Sequence, residues 1–376
     1  MAAAGTAPIQ ISLDQISAGA GTDDLLAALL RVNPRVSDFI FSPGRKFQVQ
    51  VNGEFVPVEI PGAPSLTADD TRRIASDLIG NNKAAVGMLR EQGYCDVSYA
   101  IPGLARFRVN IFIQRGSCAV VMRVIPTVVP NFKVLGMPEH LHGIAGFHDG
   151  LVLVTGPRGS GKSSTLAALL DCINETKTCH IITIEDPIEF LHNHKRATVH
   201  QRELHSDTPS VAHAMRAILR QAPNVIAVGE LKEPETMELA LEAAETGHLV
   251  LSTLNTMNAQ QTVERFVGAF PAAEQPVVRE RLARMLRCVI SQRLIPRKSD
   301  EGRVAVFDVL NAGSSVLSRL LEQRTANSSG SDASHELGFD IEIEKLVRTG
   351  IISSEIALMY ATNASTLSKK LAASAK

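Results

Sequence analysis

Residues 151–170, LVLVTGPRGSGKSSTLAALL, limit the possible folds of this chain more than any other segment. The apolar start predicts a buried strand, the apolar end predicts a helix, and the loop between them has the spacing GxxxxGK[ST]. Glycines let backbone N–H groups surround phosphate oxygens, and the positive end of the helix faces the same anion. We therefore predict a nucleotide-binding loop in which Lys162 contacts the β- and γ-phosphates of ATP and Ser163 binds Mg²⁺. The residues expected to bind the nucleotide are Gly156, Pro157, Arg158, Gly159, Ser160, Gly161, Lys162, Ser163 and Ser164.

Short apolar runs alternate with helical segments after this loop. Strands are predicted at residues 181–184, 225–228 and 249–253, and helices at 208–221, 233–246 and 258–269. Apolar runs of this kind are typical of a parallel sheet that helices cover on both faces. The pattern indicates the α/β core of a P-loop ATPase, followed by a helical tail with a polar interruption at residues 324–334.

The first third of the chain has a different pattern, in which strands alternate polar and apolar residues. Alternation on both sides of Asn52-Gly53 predicts a hairpin, and Thr67 with Asp70 predicts the start of a helix. Three more strands are expected at residues 96–101, 106–113 and 119–125. These elements predict a separate α+β domain.

Proline-rich residues 125–138 indicate a linker between the two regions. We expect a flexible N-terminus at 1–21, an α+β domain at 22–125 and a linker at 126–138. An ATPase domain at 139–312 and a C-terminal helical region at 313–376 follow.

The amino-acid composition argues against several classes of protein. The 376 residues include 38 Lys+Arg and 39 Asp+Glu, and aromatic residues make up 4% with no Trp. A balanced charge and few stacking rings argue against a nucleic-acid-binding surface. Five scattered cysteines without a CxxC pair indicate reduced thiols. Without a signal peptide or an apolar run of about 20 residues, we expect a soluble cytoplasmic protein with no transmembrane segment.

Acidic residues follow two of the predicted strands of the ATPase region. Glu230 ends one strand, where it can orient the attacking water and accept its proton. Glu185 and Asp186 end another, where both can lie near Mg²⁺ and the water. His248 and Asn255 flank a third strand, a place from which the γ-phosphate can be sensed. The predicted magnesium ligands, direct or through water, are therefore Ser163, Glu185 and Glu230.

Four arginines lie on neighbouring strands of the first domain: Arg106, Arg108, Arg115 and Arg123. The first two are two residues apart and so share one strand face. A solvated sheet face explains them as well as a set of arginine fingers that reach the ATP of a neighbouring subunit.

The order of five motifs resembles a known family. GPRGSGKSSTLAALLD, HIITIEDPIEF, HQRELHSDT, AVGELKEPET and AAETGHLVLSTLNT are similar to the boxes of the type II/type IV secretion ATPases, and ARFRVNIFIQRGS and MRVIP are similar to that family's arginine-bearing strands. Within the superfamily the chain resembles the type IV pilus retraction ATPases, the PilT and PilU group. The resemblance implies a PAS-like first domain, a RecA-like ATPase domain and a C-terminal helical bundle.

The resemblance also implies function. It predicts a cytoplasmic, ATP-driven homo-hexamer with Mg²⁺, acting alone or with a paralogue, and docked on an inner-membrane pilus platform protein. Glu230, Glu185, His248 and the arginines Arg108, Arg115 and Arg123 would take part in catalysis.

The sequence departs from the family pattern in three places. Asn255 stands where the histidine box has His, Lys232 and Glu233 replace Arg and Asp after Glu230, and residues 316–323 lack the basic positions of the family's retraction-linked helix. Asn cannot titrate near neutrality and Lys lacks the guanidinium fork.

Three hypotheses follow from these observations. The first is a motor for pilus retraction and twitching motility. The second is a weakly active or non-hydrolysing paralogue that regulates a pilus motor, and a pilus assembly or type II secretion ATPase is a further alternative. The third, a nucleic-acid translocase, is opposed by the composition, and a salt-dependent DNA-binding assay tests it.

Overall fold

The structure, a computed structural model, describes residues 9–10, 21–33, 36–51, 54–60, 65–126, 128–299, 302–314 and 337–374. The chain forms two compact units, Met1–Thr127 and Val128–Lys376. The turn predicted at Asn52-Gly53, the helix expected at 316–323 and the polar interruption at 324–334 lie outside the described residues. Within the described ranges, no helix has both the length and the apolar character that are needed to cross a bilayer.

The first unit is built on a mostly antiparallel sheet. Its described strands are β1 (Ile9–Gln10), β2 (Val36–Phe41), β3 (Gln48–Val51), β4 (Glu54–Glu59), β5 (Tyr94–Ile101), β6 (Ala105–Gln114) and β7 (Ser117–Ile125). They lie in the order β1-β4-β3-β2-β7-β6-β5. Side chains alternate between the two faces of a strand, so Phe107, Val109 and Ile111 of β6 enter the core. Arg106 and Arg108 lie on the opposite face.

Helices cover the core side of this sheet. They are α1 (Thr22–Val32), α2 (Ala68–Ile79) and α3 (Lys83–Gln92). The predicted start of α2 is confirmed, because Thr67 Oγ1 accepts from the Asp70 N–H and the Asp70 carboxylate accepts from the Thr67 N–H. Leu26 of α1 and Ile74 of α2 pack in the same cluster as Phe107. Full burial of such a side chain contributes about 1.5–3 kcal/mol.

The second unit contains a mostly parallel sheet. Its described strands are β8 (Gly150–Thr155), β9 (His180–Glu185), β10 (Thr198–Glu203), β11 (Val225–Val228), β12 (Leu249–Leu254), β13 (Leu286–Pro296) and β14 (Arg303–Asn311). The order is β10-β9-β11-β12-β8-β13-β14, and the β13–β14 pair is antiparallel. Every residue of β8, β11 and β12 is buried. The carboxyl ends of the parallel strands therefore share one edge, where α/β folds bind ligands.

Helices lie on both faces of this sheet, as the apolar runs predict. They are α4 (Phe132–Leu135), a 3₁₀ helix (Glu139–Gly146), α5 (Lys162–Thr176), α6 (Val211–Ile218), α7 (Pro234–Glu245), α8 (Ala259–Val267) and α9 (Gln275–Met285). Ser210 and Asn258 cap α6 and α8 by accepting from backbone N–H groups. Two apolar clusters result, one with α6–α9 and the other with α4 and α5.

Residues 286–311, a part of the predicted ATPase domain in which no strand is predicted, form β13 and β14. β13 extends the parallel sheet beside β8, and most of its apolar residues are buried. Its polar residues Ser291 and Gln292 are buried as well, because they bond to Thr155 and Thr165. Because Ser291 and Gln292 are polar, they interrupt the apolar run by which a buried strand is recognised in a sequence.

Three described helices near the C-terminus pack on β13 and β14: Leu337–Arg348, Ser354–Tyr360 and Ala364–Ser374. Arg293 of β13 donates to the Tyr360 carbonyl at 2.9 Å and lies 4.0 Å from the centre of the Phe339 ring. The buried Asp340 carboxylate accepts from the N–H groups of Thr362 and Asn363. Polar as well as apolar contacts therefore fix these helices.

Candidate functional site

The glycine-rich loop between β8 and α5 is packed tightly against β13. A Cβ atom at Gly156 would lie 2.4 Å from the Gln292 carbonyl oxygen, and one at Gly161 would lie 2.9 Å from the Gln292 amide nitrogen. Both glycines have positive φ, 154° and 91°, which residues with a side chain rarely adopt. Thr165, one turn into α5, donates to Gln292 Oε1 at 2.7 Å. Gln292 therefore supports the loop and the first turn of α5 from one side.

Lys162 and Ser163 occupy the first two positions of α5. Lys162 Nζ donates to the carbonyl oxygens of Gly156 and Pro157 at 2.9 and 3.0 Å. Burial lowers the pKa of Lys162, whereas nearby carboxylates raise it. Ser163 Oγ donates to Glu189 Oε1 at 2.7 Å. An ammonium, a hydroxyl and a carboxylate thus meet at the positive end of one helix.

Glu185, at the end of β9, is held by several hydrogen bonds. Its Oε1 accepts from Thr183 Oγ1 at 2.6 Å and from Gln201 Nε2 at 2.9 Å, and its Oε2 accepts from the Glu189 N–H at 3.4 Å. Burial raises the pKa of Glu185, and these hydrogen bonds lower it. The carboxyl group is therefore fixed in place between β9 and β10.

Glu230 follows β11, and both oxygens of its carboxylate have neighbours. Asn255, which follows β12, donates from Nδ2 to Glu230 Oε1. Lys232 Nζ lies 3.3 Å from Glu230 Oε2. Thr253 Oγ1 donates to the Gly229 carbonyl at 2.7 Å, which ties the ends of β11 and β12 together. Two strand ends therefore hold one carboxylate.

These side chains line a single cavity of about 510 Å³, a volume in the range of small-ligand sites. Its polar lining includes Lys162, Ser163, Glu185, Glu189, Glu230 and Asn255. Four of the nine predicted nucleotide-binding residues, Arg158, Gly159, Lys162 and Ser163, thus line the same cavity as the two predicted acidic residues Glu185 and Glu230.

The other predicted binding residues do not line the cavity: Gly156, Pro157, Ser160, Gly161 and Ser164, and the same holds for His248. His248 precedes β12, and its Nδ1 lies 2.9 Å from the Ala243 carbonyl. Asn255 follows the same strand, so at about 3.3 Å per residue the two side chains are separated by about 20 Å. His248 therefore lies at the opposite end of the parallel strands from Glu230.

The predicted arginines all belong to the first unit. Arg108 and Arg123 are direct cross-strand neighbours on β6 and β7, and Asp38 of β2 is the next neighbour of Arg123. Arg123 Nε donates to Asp38 Oδ1 at 2.7 Å. Arg115 lies in the β6–β7 turn with a φ of 48°. Arg108, Arg115 and Arg123 are all exposed, and Arg123 also has an acidic partner.

Two residues of the site are absent from the sequence prediction. Glu189 lies in the acidic segment after β9, and its contact with Ser163 was not expected from the motif alone. The sequence near the loop does not indicate a contact with Gln292, because this contact depends on the pairing of β13 with β8. The adjacent polar residues Ser291 and Gln292 are the local feature that hints at such a contact.

The strand-end loop, the acidic residues and the sheet order define a P-loop fold. The chain matches the family described as type II/IV secretion system protein over residues 96–370, and it belongs to that family. It is 41% identical over 325 residues to the type IV pilus retractation ATPase PilT of Pseudomonas aeruginosa, which covers 85% of this chain and 93% of that protein. A twitching motility protein of Neisseria gonorrhoeae is 40% identical over 324 residues, 85% of each chain.

A solved structure supports the same relationship. The pilus retraction motor PilT with bound ADP has a TM-score of 0.83 and 38% identity, and the match covers 93% of this chain and 99% of that one. The predicted family and the mixed α/β architecture are therefore confirmed. The prediction of an ATP-hydrolysing enzyme of the pilus retraction group agrees with the family and with the names of these relatives.

Proposed function

We propose that this protein hydrolyses ATP and powers type IV pilus retraction. One observation carries the ATPase assignment: Lys162 and Ser163, at the end of the glycine-rich loop, line the same cavity as the carboxylates of Glu189 and Glu230. The pilus assignment rests on relatives of about 40% identity that cover 85% of the chain.

Each residue has a distinct part in the reaction. The backbone N–H groups of the loop bind phosphate oxygens, and Lys162 turns from the loop carbonyls to the β- and γ-phosphates. Glu230 orients the attacking water and accepts its proton, so that ADP and phosphate form. Glu185, fixed by Thr183 and Gln201, holds its carboxyl group beside the reacting phosphate.

The donor set also fits a magnesium ion. Ser163 Oγ and Glu189 Oε1 are 2.7 Å apart, and Glu185 and Glu230 line the same cavity. Hydroxyl and carboxylate oxygens are the ligands that Mg²⁺ prefers. When bound, the ion neutralises charge that develops on the phosphates.

The larger assembly is part of the same proposal. A PAS-like first unit, a RecA-like ATPase domain and a C-terminal helical bundle would assemble as a cytoplasmic hexamer beside an inner-membrane pilus platform protein. The four arginines of the first unit and His248 would act on nucleotide held by a neighbouring subunit. Support comes from the exposure of Arg108 and Arg115 and from the distance of His248 from the cavity of its own subunit.

A second function is favoured by one contact. Asn255 and Lys232 engage both oxygens of Glu230, and Asn255 replaces a histidine of the family pattern. An amide at position 255 cannot become a cation as charge develops on the phosphate, so the enzyme would hydrolyse ATP slowly. The protein would then regulate a more active paralogue in mixed rings.

Phosphate release tests the two functions. The purified protein is measured at saturating ATP, alone and mixed with its nearest PilT paralogue, with Lys162→Ala as the control. Turnover alone supports the motor, whereas an effect only in mixed rings supports the regulator. Twitching of a strain that lacks its retraction ATPase and expresses this chain tests the pilus assignment, and failure to bind ATP would overturn both.

A further inference from the structure

Two residues that depart from the family pattern meet at one carboxylate. Asn255 stands where the resemblance predicts His, and Lys232 stands where it predicts Arg. Asn255 donates to Glu230 Oε1, and Lys232 Nζ lies 3.3 Å from Glu230 Oε2. The two residues belong to different loops and are distant in the sequence, but the fold brings both of them to Glu230.

We propose that Asn255 and Lys232 are positioning residues that jointly hold Glu230 in one orientation. This inference rests on the proposed ATPase function, in which Glu230 is the base. A glutamate side chain has several rotamers, and few of them place an oxygen within reach of the attacking water. An amide donor on one oxygen and an ammonium on the other restrict that freedom.

The backbone keeps the two loops in register. Leu231 N–H donates to the Thr253 carbonyl at 3.1 Å, and Thr253 Oγ1 donates to the Gly229 carbonyl at 2.7 Å. The residues on each side of Glu230 are thus tied to the end of the strand that precedes Asn255. The amide of Asn255 therefore reaches Glu230 from a backbone segment that hydrogen bonds hold in place, as a positioning residue requires.

The two contacts should differ in strength. The Lys232 side chain is 62% exposed and the Glu230 side chain is 28% exposed, so water weakens their ion pair. The hydrogen bond from Asn255 is to a charged group, and such bonds are stronger than neutral ones. Asn255 should therefore contribute the larger part.

Four variants test the proposal through kcat and ATP affinity. Asn255→Ala should lower kcat roughly ten- to hundredfold, and Lys232→Met should lower it about two- to fivefold. ATP affinity should stay unchanged in both. Because both residues act through one carboxylate, the double variant should lose less than the product of the single losses. Lys232→Arg, which keeps the cation, should restore kcat.

Lys195→Met is the matched control. Lys195 pairs with Asp171 and Glu175 outside the cavity, so this variant removes a comparable lysine pair and should leave kcat unchanged. An unchanged kcat in Asn255→Ala would overturn the proposal. Equal losses of kcat and ATP affinity would also overturn it, because they indicate general damage to the site.

A second measurement does not require turnover. Thermal unfolding of Asn255→Ala, Glu230→Ala and the double variant should show non-additive shifts of the midpoint. Additive shifts would show that the side chains do not interact and would overturn the proposal. If the wild-type protein bound no ATP, the proposed function would fail, and the unfolding cycle would still report on the contact itself.

Discussion

The two sheets of this protein carry their charged groups in different places. In the parallel sheet, β8, β11 and β12 are buried along their whole length, and polar groups such as Glu230 and Asn255 begin where the strands end. In the antiparallel sheet, Arg108 and Arg123 lie mid-strand on the face that points away from the core.

The difference follows from how each sheet is covered. Helices on both faces leave a parallel sheet only its edges for chemistry, and its carboxyl edge gathers side chains from several loops. A sheet with one polar face can instead display a row of charges across neighbouring strands. One unit therefore offers a built cavity, and the other offers a charged surface.

The largest effect tests the cavity itself. Lys162→Ala should abolish ATP hydrolysis and strongly weaken nucleotide binding, because the β- and γ-phosphates lose their nearest cation. Binding of a fluorescent ATP analogue and phosphate release measure the two effects, with Lys195→Met as the control. An unchanged ATP affinity would show that phosphates bind elsewhere.

The next effect tests the charged surface. If the arginines act on ATP in a neighbouring subunit, Arg108→Ala or Arg115→Ala should reduce turnover by a factor of up to ~10³–10⁵. Mixing either variant with Glu230→Gln should then restore some activity, because one interface in a mixed ring keeps both groups. Arg123→Ala is a less direct test, since it also breaks the pair with Asp38.

Mixed rings must first be shown to form, for example by co-purification of differently tagged chains. No recovery of phosphate release at any mixing ratio would then contradict action across subunits. The arginine face would in that case be a solvated sheet face.

A variant with a smaller loss of turnover distinguishes ATP binding from ATP hydrolysis within the cavity. Glu230→Gln should still bind ATP but hydrolyse it ~10²–10⁴-fold more slowly, since an amide cannot accept the proton. Steady-state phosphate release and ATP binding are measured on the same preparation. Wild-type turnover in this variant would mean that another carboxylate of the cavity, such as Glu185 or Glu189, activates the water.

The strand-end site was predictable because its parts lie in short contiguous motifs. A glycine-rich loop after an apolar run fixes its own geometry, and an acid directly after a buried strand must lie at the sheet edge. The capping pair Thr67 and Asp70 was predictable for the same reason, since its contact spans three residues.

Contacts between distant segments were not predictable. Gln292 supports the loop only because β13 pairs with β8 in one register, and the polar residues of β13 interrupt the apolar pattern that predicts a strand. The bond from Asn255 to Glu230 likewise depends on β11 and β12 being neighbours. The apolar pattern of the sequence predicts which residues form a strand. Which residues of different strands come into contact depends on the order of the strands in the sheet.

The smallest expected effect concerns Asn255, which the sequence suggested as a γ-phosphate sensor and the structure places against Glu230. A histidine at this position could still donate to Glu230 Oε1, and it could also become a cation as phosphate charge develops. A hydrogen bond in such a site is worth ~1–3 kcal/mol, or roughly ten- to hundredfold in rate. We therefore expect slow but measurable hydrolysis by the natural protein and a gain in Asn255→His. Steady-state phosphate release by the two proteins at saturating ATP provides the comparison. If the histidine variant is no faster, residue 255 does not limit turnover, and its amide serves only to hold Glu230.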